Sequence, residues 1–246
     1  KGTFSTGEVI RMVQKSGLAK FVSHRELILP QLSAPGVAAH EVLKTTGFKV
    51  RFGPVRTKDI KHFMENGKRA NDAMRMVTFS LWERFILTPL ELTSRIAVSF
   101  YIIAAIFVVS GLPSGFSSFQ ETLSRGSFGA AAYIIGLFAG AVVTPLILPW
   151  LPGRSFALKG AITGFISGFL FCVFFYSQLG PMAIAAILMF ATAVSSYAAL
   201  TFTGGTPFTS PTGVEKEMRR AIPLQITAVV LACALWIGNA FSGGHL

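Results

Sequence analysis

The residues whose types permit chemistry are few. His24, His40 and His62 match no metal-ligand spacing and read as solvated side chains. Cys172 and Cys233 both fall inside long apolar blocks, so they read as small packing groups rather than a disulfide framework or a metal site. Gly2–Thr6 precedes a helix, where free backbone N–H groups can hold an anion, but the rest of a phosphate loop is absent. Two stretches remain: His24–Gly36 (HRELILPQLSAPG) and Gly53–Thr57 (GPVRT). Both combine Pro and Gly with small or apolar side chains. Such residues let a large flat ligand approach the backbone, and they also serve as plain turn residues after a strand.

The elements that must position these stretches alternate. Ser5 and Glu8 have capping-box spacing ahead of Val9, Ile10 and Val13, and Gly17 closes that helix. Ala19–Val22 reads as a short buried strand. A second helix is expected over Val37–Thr46, opened by Pro35-Gly36 and closed by Gly47. Phe48–Phe52 reads as a second strand, about Lys58–Asn66 as a third helix, and Met76–Ser80 as a third strand. Short alternating elements argue for an α/β unit, a partial Rossmann-like parallel sheet covered by helices. Ligands of open α/β sheets sit beyond the carboxyl ends of the strands, where the two stretches lie.

The chain changes character at Trp82–Arg95 (WERFILTPLELTSR). Residues 1–86 hold 15 Lys and Arg against 7 Asp and Glu, and the remainder 7 against 4. The 52% apolar content is concentrated after residue 86, in five blocks near the ~20 residues a bilayer requires. They are about Ile96–Leu112, Gly129–Leu151, Phe156–Tyr176, Met182–Phe202 and Ala221–Phe241. Basic residues alternate between the loops: Arg154 and Lys159 near the second loop, Lys216, Arg219 and Arg220 in the fourth, one arginine (Arg125) in the first and none in the third. The basic side is the side of residues 1–86, so five spans with a cytoplasmic N-terminal domain are expected. This accounts for the positive charge without nucleic acid as a partner. The expected domains are a soluble α/β domain at 1–86, a membrane-surface collar at 87–95 containing Pro89, and an all-α domain of five transmembrane helices at 96–246.

No acid or base is expected deep in a span, which argues against an ion-coupled pump. Gly160, Gly164 and Gly168 recur at four-residue spacing, which favours close helix packing within the chain or between copies. Thr203–Gly213 reads as a loop on the basic side, either a linker or a contact surface for the soluble domain or a partner, with Thr212 and Glu215 at capping-box spacing.

KGTFST (1–6), HRELILPQLSAPGVAAHEV (24–42) and TGFKVRFGPVRTKDI (46–60), followed by five spans, resemble the mercury-methylating corrinoid proteins of anaerobic microbes. Their soluble domain is similar to the corrinoid domain of the corrinoid iron–sulfur protein of the acetyl-CoA pathway. The resemblance covers nearly the whole chain and implies a base-off cobalamin (a corrinoid) with a cap-helix cysteine thiolate below the cobalt. It implies transfer of methyl from methyl-Co(III) to Hg(II) as a carbanion equivalent, which a thiolate ligand favours. A ferredoxin-like iron–sulfur protein would return the cobalt to Co(I), and a pterin-linked methyltransferase would reload the methyl group. In the family the cysteine comes just before the run that begins here at Lys1, so the ligand is expected upstream and the domain N-terminally incomplete. The resemblance assigns the corrin cradle to Gly2, Thr3 and Thr6, to Leu29, Pro30, Gln31, Ala34 and Gly36, and to Gly53, Pro54, Val55, Arg56 and Thr57, the last standing where the family usually has alanine. Two alternatives stay open: a corrinoid methyl carrier of one-carbon metabolism with another acceptor, and a non-enzymatic membrane scaffold.

Overall fold

A computed structural model describes residues 4–76, 80–113, 115, 118–202 and 211–242. The chain divides into two compact units, Lys1–Thr78 and Phe79–Leu246.

The first unit begins with α1 (Thr6–Ser16). Ser5 caps it by accepting from the Glu8 amide at 3.4 Å, while the Glu8 carboxylate turns to Arg11 instead of completing the box. Gly17, at φ 59°, ends α1 in the left-handed conformation that glycine adopts without penalty. The chain then makes one helical turn, α2 (Leu18–Phe21), where a buried strand was expected over Ala19–Val22. The run is too short and too exposed to be a core strand: none of its residues is buried, and Phe21 is 81% exposed. The strand is β1 (Glu26–Leu29), ended by Pro30. A crossover through α3 (Ala39–Thr46) leads to β2 (Lys49–Phe52). The two pair in parallel, Leu27 opposite Val50 and Leu29 opposite Phe52.

One face of this two-stranded sheet, with Leu27, Leu29 and Val50, packs on Val9, Val37 and Val42 from α1, α3 and the loop before α3. Beyond β2 come α4 (Ile60–Glu65) and α5 (Asp72–Arg75). Phe48 and Phe63 are fully buried, and a Cβ on Gly53 would lie 3.7 Å from the Phe63 ring. The third strand expected over Met76–Ser80 falls mostly on residues 77–79, outside the described residues.

The second unit is helical: α6 (Leu81–Gly111), α7 (Phe119–Phe138), a π turn (Ala139–Val143), α8 (Thr144–Leu146), α9 (Phe156–Phe174), α10 (Pro181–Phe202) and α11 (Pro211–Phe241). Among the described residues five helices, counting 119–146 as one, are long and apolar enough to cross a membrane. The expected collar, 87–95, is helical and continuous with the first span. A full capping box at Ser80 and Glu83 starts α6, and Pro89 lies inside it. At 31 residues α6 is about 46 Å long, more than the ~30 Å hydrocarbon layer needs. The π turn precedes Pro145, whose missing N–H leaves the Ala141 carbonyl without its ordinary helical donor.

Helix α10 is the centre of the bundle. The glycine stripe of α9 packs on it within the chain: a Cβ on Gly160 would sit 2.5 Å from that of Ala199, and one on Gly164 2.5 Å from that of Ser195. A hydroxyl seam accompanies the contact, with Thr144 to Thr163 at 2.6 Å, Thr163 to Ser195 at 3.2 Å, and Ser195 donating to the Gly160 carbonyl at 2.6 Å. At one end of the bundle Arg84 donates to the Leu146 carbonyl (2.9 Å), Arg95 meets Thr201, and Lys159 reaches the Leu148 carbonyl (2.8 Å). Arg125 departs from expectation. It lies inside α7 rather than in a loop and is buried, donating to the Trp236 carbonyl at 2.5 Å with its guanidinium over the Trp236 ring. Its partner is 111 residues away, so local sequence gave no reason to place it there.

Candidate functional site

The carboxyl ends of β1 and β2 are held side by side. The Gly53 amide donates to the Leu29 carbonyl at 2.8 Å, extending the ladder by one bond. After Leu29, Pro30 is exposed, and its carbonyl accepts from the Ser33 amide (2.9 Å) and hydroxyl (2.7 Å). This closes a tight turn over Gln31–Ser33, followed by Ala34 with its amide on the Gln31 carbonyl. The Gly36 amide continues the turn to the Ser33 carbonyl at 2.9 Å.

Thr6 is brought to this loop and works as a clamp. Its amide donates to the Gly36 carbonyl at 3.2 Å, and its hydroxyl accepts from the Ala38 amide at 2.9 Å. In the second loop Gly53 and Pro54 are buried, and Val55 donates to the Met74 carbonyl at 2.9 Å. Arg56 is half-buried, and exposed Thr57 opens the turn into α4. Gly2 and Thr3 lie outside the described residues.

The two loops therefore form one ledge at the strand ends. Leu32 is 55% exposed on it, beside exposed Pro30 and Pro35. Neither 30–36 nor 53–58 contains a carboxylate. The glycines are explained first by the chain itself: a Cβ on Gly36 would meet the Phe4 carbonyl at 2.9 Å, and one on Gly53 would meet Ile28 Cγ2 at 3.0 Å. The ledge is open and acid-free, apolar at Pro30, Leu32 and Pro35 and polar or basic at Gln31, Arg56, Thr57 and Lys58. Residues 1–86 contain no cysteine; Cys172 and Cys233 belong to the second unit. Among the described residues no three His, Cys, Asp or Glu side chains gather as a metal site. His24, His40 and His62 are all exposed.

One charged cluster of this unit was not foreseen. Glu26, at the start of β1, accepts from Lys68 at 2.7 Å and Arg51 at 3.1 Å. The hydrogen bond from Lys68, aided by the charge of Arg51, holds the Glu26 carboxyl below its ordinary value against the opposing effect of desolvation. Lys68 adopts a left-handed backbone (φ 60°), unusual for a side-chain-bearing residue, and its ion pair helps offset that cost. The partners are 25 and 42 residues from Glu26, so no local pattern announces them. Glu26 stands at the amino end of β1, whereas Arg51 is the next-to-last residue of β2.

Comparison with family models, with curated proteins and with solved structures found no match for this chain.

Proposed function

We propose that the chain is a membrane-anchored, corrinoid-dependent methyltransferase whose acceptor is Hg(II). The observation that carries this reading is the acid-free ledge at the carboxyl ends of two adjoining parallel strands, in a chain that continues into five apolar helices. The sequence resemblance supplies the identity of the ring. Pro30, Gln31, Ala34, Gly36 and Gly53–Thr57 would hold the corrin through backbone and small side chains, and Leu32 and Pro35 would exclude water from its edge. Bound there, the corrinoid supplies a methyl group that a soft electrophile such as Hg(II) can accept. No side chain of the ledge is assigned acid–base work.

The reading requires a ferredoxin-like iron–sulfur protein as reductant and a pterin-linked methyltransferase as methyl source. The soluble unit belongs in the cytoplasm on this reading. Its support is the gathering of Arg84, Arg95, Arg154, Lys159, Lys216, Arg219 and Arg220 at one end of the helices, against Arg125 towards the other. The way the chain's own atoms fill the Cβ directions of Gly36 and Gly53 favours a second reading, a membrane-fixed docking module that binds no corrin.

The test uses the full chain in detergent, both as printed and with any residues its gene encodes before Lys1. After cobalamin loading and gel filtration, the visible spectrum should show retained corrinoid. Leu32→Glu, a change at an exposed position, should lower retention about tenfold by placing an unpaired charge against the ring. Methylcobalamin-loaded protein should yield methylmercury from Hg(II). No retained cobalamin in either form leaves the docking module standing, and transfer to thiols but not to Hg(II) points to a methyl carrier with another acceptor.

A further inference from the structure

A second cleft, independent of the proposed methyl transfer, opens between α9, α10 and α11. Its volume is about 650 Å³, within the usual range for small-molecule sites. Its lining changes with depth. Arg154, Lys216 and Arg220 stand at the bundle end where α9 and α11 begin, and no side chain of the three makes a hydrogen bond or ion pair among the described residues. Glu217 is also there, but its carboxylate is engaged, accepting from the Ser155 hydroxyl (2.8 Å) and the Ala157 amide (2.7 Å) at the start of α9. The mouth is therefore positive, with its one acid occupied. Deeper walls are apolar: Leu158, Ala161, Leu224 and Ala228.

Among these walls lies an unmet polar demand. Gln225 is 9% exposed and its Oε1 has no partner. The amide orientation follows from its neighbour. The Ser196 hydroxyl donates to the Ala157 carbonyl at 2.9 Å, so it can only accept from Gln225, and the group facing it at 2.9 Å is Nε2. Oε1 is thus left as an acceptor in the cleft lining. The Thr192 hydroxyl, on the same lining, is likewise buried and unpartnered. Unmet buried polar atoms are costly, and here they stand deeper than the unpaired cations, among the apolar side chains of the lining.

We infer that this cleft binds an anionic monoacyl phospholipid from the leaflet at the basic end of the bundle. The phosphate meets Arg154, Lys216 and Arg220, a free glycerol hydroxyl below it donates to Gln225 Oε1, and one acyl chain lies along Leu158, Ala161, Leu224 and Ala228. Basic pockets between membrane helices recognise lipid phosphates by this chemistry. The graded lining excludes a free inorganic anion as the better occupant, because such an ion uses only the mouth.

The experiment is equilibrium binding of a fluorescent-acyl phosphatidylglycerol to the full chain in neutral detergent. Competitors are unlabelled phosphatidylglycerol, its monoacyl form, phosphatidylcholine and sodium phosphate. Each basic residue should contribute about fivefold, so Arg220→Gln weakens binding about fivefold and the triple change R154Q/K216Q/R220Q about a hundredfold. Arg219→Gln serves as the control, since Arg219 is exposed and paired with Glu215 at 2.8 Å, and it should leave binding unchanged. The monoacyl lipid, with its free hydroxyl, should compete better than the diacyl form, and Gln225→Leu should erase that preference. Equal competition by phosphatidylcholine, equal loss in R219Q and R220Q, or full competition by millimolar phosphate overturns the lipid assignment. A monoacyl preference that survives Q225L overturns the role given to Gln225.

Discussion

Gly164→Ala tests how the helical unit is held together. The added Cβ would stand 2.5 Å from Ser195 Cβ and 2.8 Å from the Ala191 carbonyl oxygen, both on the central helix α10. Neither neighbour is the end of a flexible side chain, so relief requires α9 and α10 to part by about 1 Å to reach ordinary carbon contact. That displacement would stretch the Thr163–Ser195 contact of 3.2 Å and the Ser195-to-Gly160 bond of 2.6 Å beyond useful length. Overpacking costs about 1–3 kcal/mol, and each interhelical hydrogen bond lost in a membrane about 0.6 kcal/mol more. The expected loss is therefore about 2–4 kcal/mol. Gly168→Ala is the graded comparison, its nearest neighbour being Ala191 Cβ at 3.2 Å, with an expected cost below about 1 kcal/mol. Gly238→Ala, with nothing within 4 Å, should be neutral or slightly stabilising. Reversible denaturation in mixed micelles, followed by circular dichroism, measures all three. Equal effects at Gly164 and Gly238 would refute the packing argument.

Phe63→Ala empties a fully buried site and should cost about 3–5 kcal/mol, most of what a unit of this size possesses; trypsin should then cut freely within residues 4–76 while the helical unit stays intact, and an unchanged digestion pattern contradicts this. Glu26→Gln tests the ion cluster on β1. The folded carboxyl lies below its unfolded value, so its contribution is present above about pH 4.3 and is lost as pH falls through the lowered folded value. Amide exchange in β1 and β2 should therefore separate the variant from the parent at neutral pH and converge in acid, whereas a difference that grows in acid has the wrong sign. Thr6→Val removes the acceptor of the Ala38 amide, at a cost of about 1 kcal/mol and about fivefold faster exchange at Ala38; unchanged exchange there would show that Thr6 does not clamp the loop.

Much of the helical framework was legible because its signals are local. Ser5 and Gly17 bracket α1, Gly47 closes α3, and five apolar blocks mark five long helices. The first strand was displaced because Ala19–Val22 looks apolar in isolation, whereas β1 hides its inward alternation of Leu27 and Leu29 behind Glu26 and a following proline. The ledge was legible in outline, as two Pro- and Gly-rich loops after strands. The clamp made by Thr6, and the neighbours that fill the Cβ directions of Gly36 and Gly53, belong to tertiary packing. Arg154, Lys216 and Arg220 were visible as topology charges. Their convergence around the cleft that Gln225 lines depends on α9 and α11 both packing on α10, and the approach of α9 is set by glycines whose neighbours lie far away in the chain.

None of the most apolar stretch of α6 is buried, whereas 56% of the corresponding stretch of α10 is. As the chain leaves the ribosome, α6 can therefore settle among acyl chains before any neighbour has been made. The stretch of α10 is about as apolar, but more than half of it is covered by neighbouring helices, so its surroundings are completed only by them. Assembly of the second unit is thus ordered by chemistry as well as by synthesis: a self-sufficient pioneer first, and a dependent keystone that is complete only when α7 and α9 already flank it and α11 arrives.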